Sequence, residues 1–321
     1  MTRPHVPQEV LDAAHARKAA REARDWPEAD RLKGRIEAAG WRVVDRGADF
    51  ALSPAAASDV REGDRVRYGA SQNVPSRLAE PDVGAATVVV RATDDGAAAE
   101  RAVRGLRAHS PAGTQVVVVA DAPGAEAAAI LERLERDEDP GLEVVWTSQR
   151  LGAGASINAG IRRAAGAVVV LLDVSLEPTG DIVTPLVGVL ADPEVAVAGA
   201  GGLAGTDVRE LRGAGPGEVV AIDGSCLAMR RPDAAARGPL DERFGSPRLL
   251  AAWWSLVLRD RGEGHAPRRA VAVDGLPVRR HDVPPEDAAP AERDRTVRRD
   301  RYRLLDRFGH RPDLVGEPAR H

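Results

Sequence analysis

An aspartate ends an apolar run in the stretch VVVLLDVSLEP, residues 168–178. The five residues before Asp173 are all Val or Leu, as in a buried strand, and a parallel strand that ends at an acid presents it to a ligand cleft. A carboxylate is the kind of oxygen donor that a hard cation prefers. The residue two positions on is Ser175, where a second acid would serve metal binding better. The stretch indicates a ligand at Asp173 and leaves open what that ligand is.

This run is the last of four short apolar runs that alternate with Ala-rich segments of helical spacing. The runs are 86–93, 114–121, 142–149 and 167–173, and the helical segments are 97–108, 125–136 and 153–164. The alternation predicts parallel β-α-β units and therefore a doubly wound α/β fold with a mostly parallel sheet. Ligands of such sheets bind beyond the carboxyl ends of the strands. This rule selects as candidate binding residues Thr93, Asp94, Asp121 and Asp173.

The composition is that of a soluble globular chain, with 43% hydrophobic and 29% charged residues among 321. No stretch approaches the ~20 apolar residues of a membrane span, and the first residues lack the apolar run of a signal peptide, so a cytoplasmic protein is predicted. Cys226 is the only cysteine, which excludes an internal disulfide and a multi-cysteine metal site. A net charge of −4 argues against bulk nucleic-acid binding, which uses a strongly basic face.

The sequence predicts four segments along the chain. Residues 1–53 form an appendage, because 8–22 and 26–39 have helical spacing, Gly40 is a typical helix stop, and two short runs after it can pair as a hairpin. Residues 54–83 lack periodicity and are predicted to be a linker. Residues 84–285 form the α/β domain, and 286–321 form a helix of dense alternating charge and a tail. That helix packs on the protein or, as the alternative, contacts an anionic membrane peripherally.

The appendage has a family resemblance of its own. Residues 17–50, RKAAREARDWPEADRLKGRIEAAGWRVVDRGADF, resemble the small C-terminal appendage of cysteinyl-tRNA synthetases. The matching residues are Asp25, Trp26, Ala29, Asp30, Leu32 and Gly40. The nucleotide-binding signatures and zinc-binding cysteines of the synthetase are absent, so aminoacylation does not carry over. Two interpretations stay open: Trp26 and Leu32 hold the two helices together, or the appendage docks to a protein or RNA partner.

Four blocks of the larger domain resemble, in the same order, those of family 2 glycosyltransferases of the GT-A fold. The blocks are SQRLGAGASINAGIRRAAGAVVVLLDVSLEP, VAIDGSCLAMRR, GPLDERF and WSLVLRDRG. The resemblance implies a GT-A fold and inverting transfer of a sugar from a nucleotide-diphosphate donor. It also implies a divalent cation, Mg or Mn, and an acceptor that the sequence does not identify.

The resemblance assigns roles to individual residues. It implies that Asp173 and His281 bind the metal and that Asp121 contacts the base or ribose of the donor. It also implies that Asn158 faces the donor and that Arg230 lies near its diphosphate. Each role has a structural alternative, in which the side chain caps a turn, packs a helix or lies on the surface.

Two departures from the family pattern concern catalysis. Relatives have a second metal-binding acid where this chain has Ser175, and a pair of catalytic acids where it has Leu250 and Ala251. Since a positioned base typically contributes ~10²- to 10⁴-fold in rate, transfer is expected to be weakened. Asp241 and Glu242 are weak substitutes, because relatives carry them as well as the pair. The alternative is a catalytically inactive scaffold or partner-binding module.

Overall fold

The computed structural model describes residues 6–46, 49–54, 57–137, 139–262, 264–282 and 290–315. The chain forms two compact units, Met1–Ser58 and Asp59–His321. The helices are α1 Gln8–Glu22, α2 Trp26–Ala38, α3 Gly96–His109, α4 Ala125–Arg136, α5 Ala153–Arg163, α6 Val183–Leu190, α7 Arg231–Arg237, α8 Pro247–Arg259, α9 Pro290–Phe308 and α10 Pro312–Val315.

The strands, in chain order, are β1 Trp41–Arg46, β2 Asp49–Pro54, β3 Val60–Glu62, β4 Arg65–Tyr68, β5 Ala86–Ala92, β6 Gln115–Ala120, β7 Leu142–Thr147, β8 Val168–Leu172, β9 Leu176–Pro178, β10 Val195–Gly199, β11 Gly202–Ala204, β12 Arg212–Ala214, β13 Gly217–Val219, β14 Ala221–Ile222, β15 Cys226–Arg230, β16 Arg269–Ala272 and β17 Val278–Arg280. Among the described residues, none of the helices is both long and apolar enough to span a membrane.

The first unit is a helical hairpin followed by an antiparallel β-hairpin, as the sequence predicts. The Asp25 side chain accepts the N–H of Glu28 at 3.1 Å and so caps the beginning of α2. The core residues of this unit are Val10, Ala13, Ala14, Leu32, Ile36, Trp41 and Val43. Leu32 therefore packs the helices together in the core, whereas Trp26 is 54% exposed and lies outside it, with the Arg21 guanidinium of α1 at 5.7 Å from its ring centroid. A docking role for the appendage stays a prediction.

The second unit is built on a ten-stranded sheet in the order β13-β16-β10-β15-β8-β5-β6-β7-β4-β3. The central strands β8, β5, β6, β7 and β4 are parallel, and β15 runs antiparallel between β8 and β10. Runs of Val and Ala form these strands because helices cover both faces of the sheet. Apolar residues of α3, α4 and α6 pack on one face, and those of α5 and α8 pack on the other. The predicted α/β fold is confirmed.

The predicted linker, 54–83, instead contributes two strands to this sheet. β3 and β4 form its edge, and β4 pairs with β7. The guanidinium carbons of Arg65 and Arg67 lie 4.5 and 4.9 Å from the ring centroid of Trp146, and Val74 is fully buried. These strands are short and charged because they lie at the sheet edge, where charge opposes pairing with other chains. An apolar pattern was therefore absent from the sequence.

The C-terminal helix α9 packs against α8 within the second unit. Leu304 and Phe308 are buried in the core, and the Asp300 carboxylate accepts the N–H groups of Gly245 and Ser246 at 2.9 and 2.8 Å. One face of the helix therefore packs on the protein, as the first of the two interpretations predicts. Residues 283–289 and 316–321 of the predicted segments lie outside the described residues.

The single cysteine is in the middle of this sheet. Cys226 begins β15, where it pairs with Leu172 of β8, and its side chain is fully buried. Burial raises the pKa of the thiol to about 12. The thiol is therefore protonated and enclosed in the folded protein.

Candidate active site

The carboxyl ends of parallel strands bring most of the predicted residues to one edge of the sheet. The strands β8, β5 and β6 are neighbours in that order. Thr93 and Asp94 follow β5, Asp121 follows β6, and Asp173 follows β8. We call this edge the carboxyl edge. Asp121 and Asp173 lie there on either side of β5, two strand spacings or ~10 Å apart.

The carboxylate of Asp121 is enclosed by protein groups. The side chain is fully buried, its Oδ2 atom lies 2.8 Å from Arg91 Nη2, and its oxygens accept the N–H groups of Leu151 and Gly152 at 2.6 and 3.2 Å. Gly152 has φ +86°, which glycine adopts without strain, and it leads directly into α5. Asp121 therefore anchors the loop before α5. The predicted contact with base or ribose is not open to it, because this loop folds over the carboxylate.

Asp94 connects three loops at the carboxyl edge. Its carboxylate accepts the N–H of Gly124 and a hydrogen bond from Arg150 Nη2, each at 2.8 Å. The hydrogen bond from Arg150 is the main reason that the pKa of the Asp94 carboxyl lies below its usual value. Thr93 beside it is half-buried, and Asp95 is the N-cap of α3. Asp94 thus faces solvent while it is neutralised by Arg150.

Asn158, Asp241 and Glu242 are bonded to protein groups that fix one loop. Asn158 is buried in α5, where its amide donates to the Leu240 carbonyl and to Glu242 Oε1 at 3.0 and 2.9 Å. Asp241 accepts two hydrogen bonds from the Arg243 guanidinium at 2.8 and 2.6 Å. Burial alone would raise the pKa of Asp241, but the hydrogen bonds from Arg243 outweigh it and lower the pKa. These contacts match the structural alternative for Asn158, and they show Asp241 and Glu242 bonded within the loop that follows α7.

Arg230 lies beside the beginning of β8, at the opposite end of this strand from Asp173. Because β15 runs antiparallel to β8, Arg230 at its end pairs with Val168 at the beginning of β8. Its guanidinium donates to the carbonyls of Leu190 and Val195 at 2.7 and 2.6 Å. The predicted position near the diphosphate is therefore wrong. The sequence block gave no sign that its strand is antiparallel.

Asp173 is an exposed acid at the carboxyl edge. Its Oδ1 atom accepts the N–H of Ser175 at 2.9 Å, and no described residue forms an ion pair with it. The pairing of β17 with β9 places His281 beside this turn, where its N–H donates to the Ser175 carbonyl at 2.8 Å. The His281 ring binds another acid, since its Nε2 atom is 2.6 Å from the Glu177 carboxylate.

A metal centre built from protein ligands is not assembled here. Among the residues that the structure describes, no three His, Cys, Asp or Glu side chains are placed to hold an ion. Asp173 has no second acid two residues on, and the ring of His281 is bonded to Glu177. The described residues therefore do not by themselves form a site of three protein ligands, and binding of Mg or Mn by Asp173 and His281 stays a prediction.

The expected position of the catalytic acids is part of the core. Ala251 is only 8% exposed, and Leu250, Trp253 and Trp254 are buried in the hydrophobic cluster on this face of the sheet. A Cβ atom on Gly224 would lie 2.7 Å from the Ala251 Cβ, so the loop before β15 is in close contact with this turn of α8. The first turns of α8 therefore pack against the protein at the position where the family resemblance implies acids.

One acid in that loop, Asp223, was not among the site residues predicted from the sequence. Its Oδ1 atom accepts hydrogen bonds from the N–H and the hydroxyl of Ser225 at 2.9 and 2.7 Å. The Ser225 carbonyl in turn accepts the N–H of Asp173 at 2.9 Å, so Asp223 belongs to the carboxyl edge. The signal was the apolar run 219–222 that leads into Asp-Gly-Ser. The strand-end rule did not select it, because Asp223 precedes an antiparallel strand.

Two solved structures show what this fold is similar to. A mannosyltransferase from Pyrobaculum calidifontis, PcManGT, in complex with GDP-Man and Mn2+, has a TM-score of 0.54 and 17% identity, with 74% of this chain and 69% of that chain covered. GalNAc-T7 with UDP, GalNAc and Mn2+ has a TM-score of 0.55 and 15% identity, with 75% of this chain and 52% of that chain covered. This chain thus spans about half of the GalNAc-T7 chain. At these identities the likeness shows the fold alone.

A third relative concerns the appendage. A cysteine–tRNA ligase of Opitutus terrae (strain DSM 11246 / JCM 15787 / PB90-1) is 46% identical over 50 residues, which are 16% of this chain and 11% of the ligase. The larger unit matches a family model: residues 87–216 match Glycosyl transferase family 2. Residues 87–216 include the first of the four sequence blocks, whereas the other three lie beyond this match. The predicted resemblance to family 2 glycosyltransferases is therefore confirmed over residues 87–216, and the second unit has the GT-A fold of the two glycosyltransferase structures.

Proposed function

We propose that the second unit binds a nucleotide-diphosphate sugar at the carboxyl edge and transfers the sugar, with inversion, to an acceptor. The observation that carries the proposal is the state of Asp173, which is exposed and has no ion-pair partner among the described residues. Asp94 and Asp121 at the same edge are both paired with arginines. Asp173 is thus a strand-end acid with its charge still available to a ligand.

The chemistry assigned to Asp173 is the binding of donor hydroxyl groups. An ionised carboxylate accepts charge-assisted hydrogen bonds, which are about twice as strong as neutral ones. The titles of the two similar structures name GDP-Man and UDP with GalNAc, each with Mn2+, and these compounds are the first probes to use. Because the protein residues do not form a metal site, no step of the proposal passes through a cation.

A second candidate function is a donor-binding module that does not transfer sugar. Ala251 favours it, because alanine at the expected base position cannot accept a proton. Binding of a donor without release of the nucleoside diphosphate would support this candidate, whereas release would support the transferase.

Replacing Asp173 by alanine should weaken donor binding roughly tenfold or more, because a hydrogen bond to a charged group contributes about 1.5–3 kcal/mol. Wild-type binding of GDP-mannose or UDP-GalNAc is expected at tens to hundreds of micromolar, or about 5–6 kcal/mol. Isothermal titration calorimetry and thermal shift, with and without Mn2+, measure both proteins.

Asp306→Ala is the matched control, since it removes an exposed carboxylate from α9. We expect it to bind donor as the wild type does. Equal binding by Asp173→Ala and the wild type would place the donor elsewhere, and a wild type that binds neither donor in either buffer would refute the proposed function. Melting without donor should be unchanged in both variants, because the Ser175 N–H is the one group of the described residues that donates to the Asp173 side chain.

A further inference from the structure

Residues 223–225, which we call the DGS loop, pack against Ala251, the position at which the family resemblance implies an acid. A Cβ atom on Gly224 would lie 2.7 Å from the Ala251 Cβ and 3.4 Å from the Pro247 carbonyl oxygen. Gly224 has φ +88°, so this close approach and this backbone conformation both require glycine. The DGS loop and the first turn of α8 are therefore packed together, and the loop brings an acid of its own.

The DGS loop is fixed at both ends to the carboxyl edge. The N–H of Asp223 donates to the Gly201 carbonyl, which follows β10, at 2.9 Å. The Ser225 carbonyl accepts the N–H of Asp173 at 2.9 Å. Asp223 is thus held between the strand-end acid that we assign to the donor and the helix turn where relatives have their catalytic acids.

Within the described residues Asp223 has no ion-pair partner, a property that it shares with Asp173 and that separates these two from the other acids around the carboxyl edge. Asp94 and Asp121 pair with arginines, and Glu177 pairs with His281. No residue in the described part of the chain forms an ion pair with Asp223. Its Oδ1 atom accepts two hydrogen bonds from Ser225, whereas no described group donates to Oδ2, which lies against the backbone of Gly201. The half-buried side chain therefore keeps one oxygen that can accept a proton.

We propose that Asp223 is the general base of the transfer reaction, in place of the acid missing at position 251. This inference rests on the proposed function. As the acceptor oxygen attacks the anomeric carbon, the bond from that carbon to the diphosphate oxygen breaks, and the nucleoside diphosphate leaves with the electron pair. The proton of the acceptor hydroxyl passes to the Asp223 carboxylate. The same step with water as acceptor is donor hydrolysis, which needs no knowledge of the natural acceptor.

Asp223→Asn tests the proposal with little structural change, because a carboxamide oxygen can still accept both hydrogen bonds from Ser225. We expect hydrolysis of GDP-mannose or UDP-GalNAc to fall ~10²- to 10⁴-fold, the usual contribution of a positioned base. Donor affinity should be unchanged, since a base acts mainly in the transition state. Release of nucleoside diphosphate and calorimetric titration give the two values.

Azide separates a base from a positioning residue. The azide ion attacks the anomeric carbon without losing a proton, so formation of glycosyl azide needs no base. If Asp223 is the base, the Asp223→Asn variant should form glycosyl azide as fast as the wild type while it hydrolyses the donor slowly. A parallel loss of both reactions would show that Asp223 only shapes the site and would overturn the proposal.

Asp274→Asn is the matched control, since Asp274 is an exposed acid two residues after β16. It should retain full hydrolysis, and a loss there with a normal Asp223→Asn would assign the base to Asp274. A wild type that binds donor but releases no nucleoside diphosphate would also overturn the proposal, in favour of the binding module. Absence of donor binding in the wild type is a different outcome, because it refutes the proposed function itself.

Discussion

Asp121→Ala should lower the free energy of unfolding by about 3–5 kcal/mol, the usual cost of removing one partner of a buried ion pair. The Asp121 side chain is fully buried and holds the guanidinium of Arg91, whose side chain is only 15% exposed. Alanine would also leave the N–H groups of Leu151 and Gly152 without their acceptor. Each loss of a buried partner carries a desolvation penalty. Urea unfolding followed by circular dichroism measures the change.

Asp94→Ala provides the comparison at the same edge of the sheet. Its carboxylate pairs with Arg150 at 2.8 Å, as Asp121 does with Arg91, but the side chain is 62% exposed. Exposed ion pairs contribute about 0–1 kcal/mol, so this variant should unfold almost as the wild type does. If the two variants lost similar stability, burial would not be what distinguishes the two acids.

Removal of residues 1–80 should leave a chain that aggregates or melts without cooperativity, whereas removal of residues 1–58 should leave a cooperative unit. The longer deletion removes β3 and β4, uncovers β7 and exposes Trp146, which lies under Arg65 and Arg67. It also removes Val74, which is fully buried and whose carbonyl accepts a hydrogen bond from Arg162.

The expected loss is a large part of the total stability. Burial of a large apolar side chain contributes about 1.5–3 kcal/mol, and a domain has about 5–15 kcal/mol in all. An uncovered inner strand is in addition a template for aggregation. Size-exclusion chromatography and thermal melts of the two truncated chains test this difference. A cooperative melt of 81–321 that matches that of 59–321 would mean that residues 59–80 are dispensable for folding.

The central strands could be predicted because their residues are constrained on two sides. β5, β6 and β8 are buried on both faces, so almost every position is Val, Ala or Leu. β3 and β4 were not predicted from the sequence, because strands near the sheet edge are partly solvated and carry Arg and Glu. Physical constraint, and not the presence of a strand, is what makes a pattern visible in the sequence.

The residues of the candidate site also differ in how far their positions could be predicted from the local sequence. Asp173 could be predicted because its position depends only on the strand before it. Arg230 was misplaced because strand direction depends on pairing with β8, about sixty residues earlier in the chain. Asp223 was missed because the residues that the DGS loop contacts, Gly201, Asp173 and Ala251, are distant in sequence and are brought together only by the fold. Contacts of this kind leave no local signal.

The single cysteine, Cys226, can report on the pairing of β15 with β8. Cys226 is next to the DGS loop, and its protonated, enclosed thiol is out of reach of alkylating reagents while β15 and β8 remain paired. The rate of covalent labelling therefore depends on how often β15 and β8 separate. Because the chain has a single cysteine, every labelled molecule reports the same event. A donor that bridges Asp173 and the DGS loop would be visible as slower labelling, without any dye, tag or turnover.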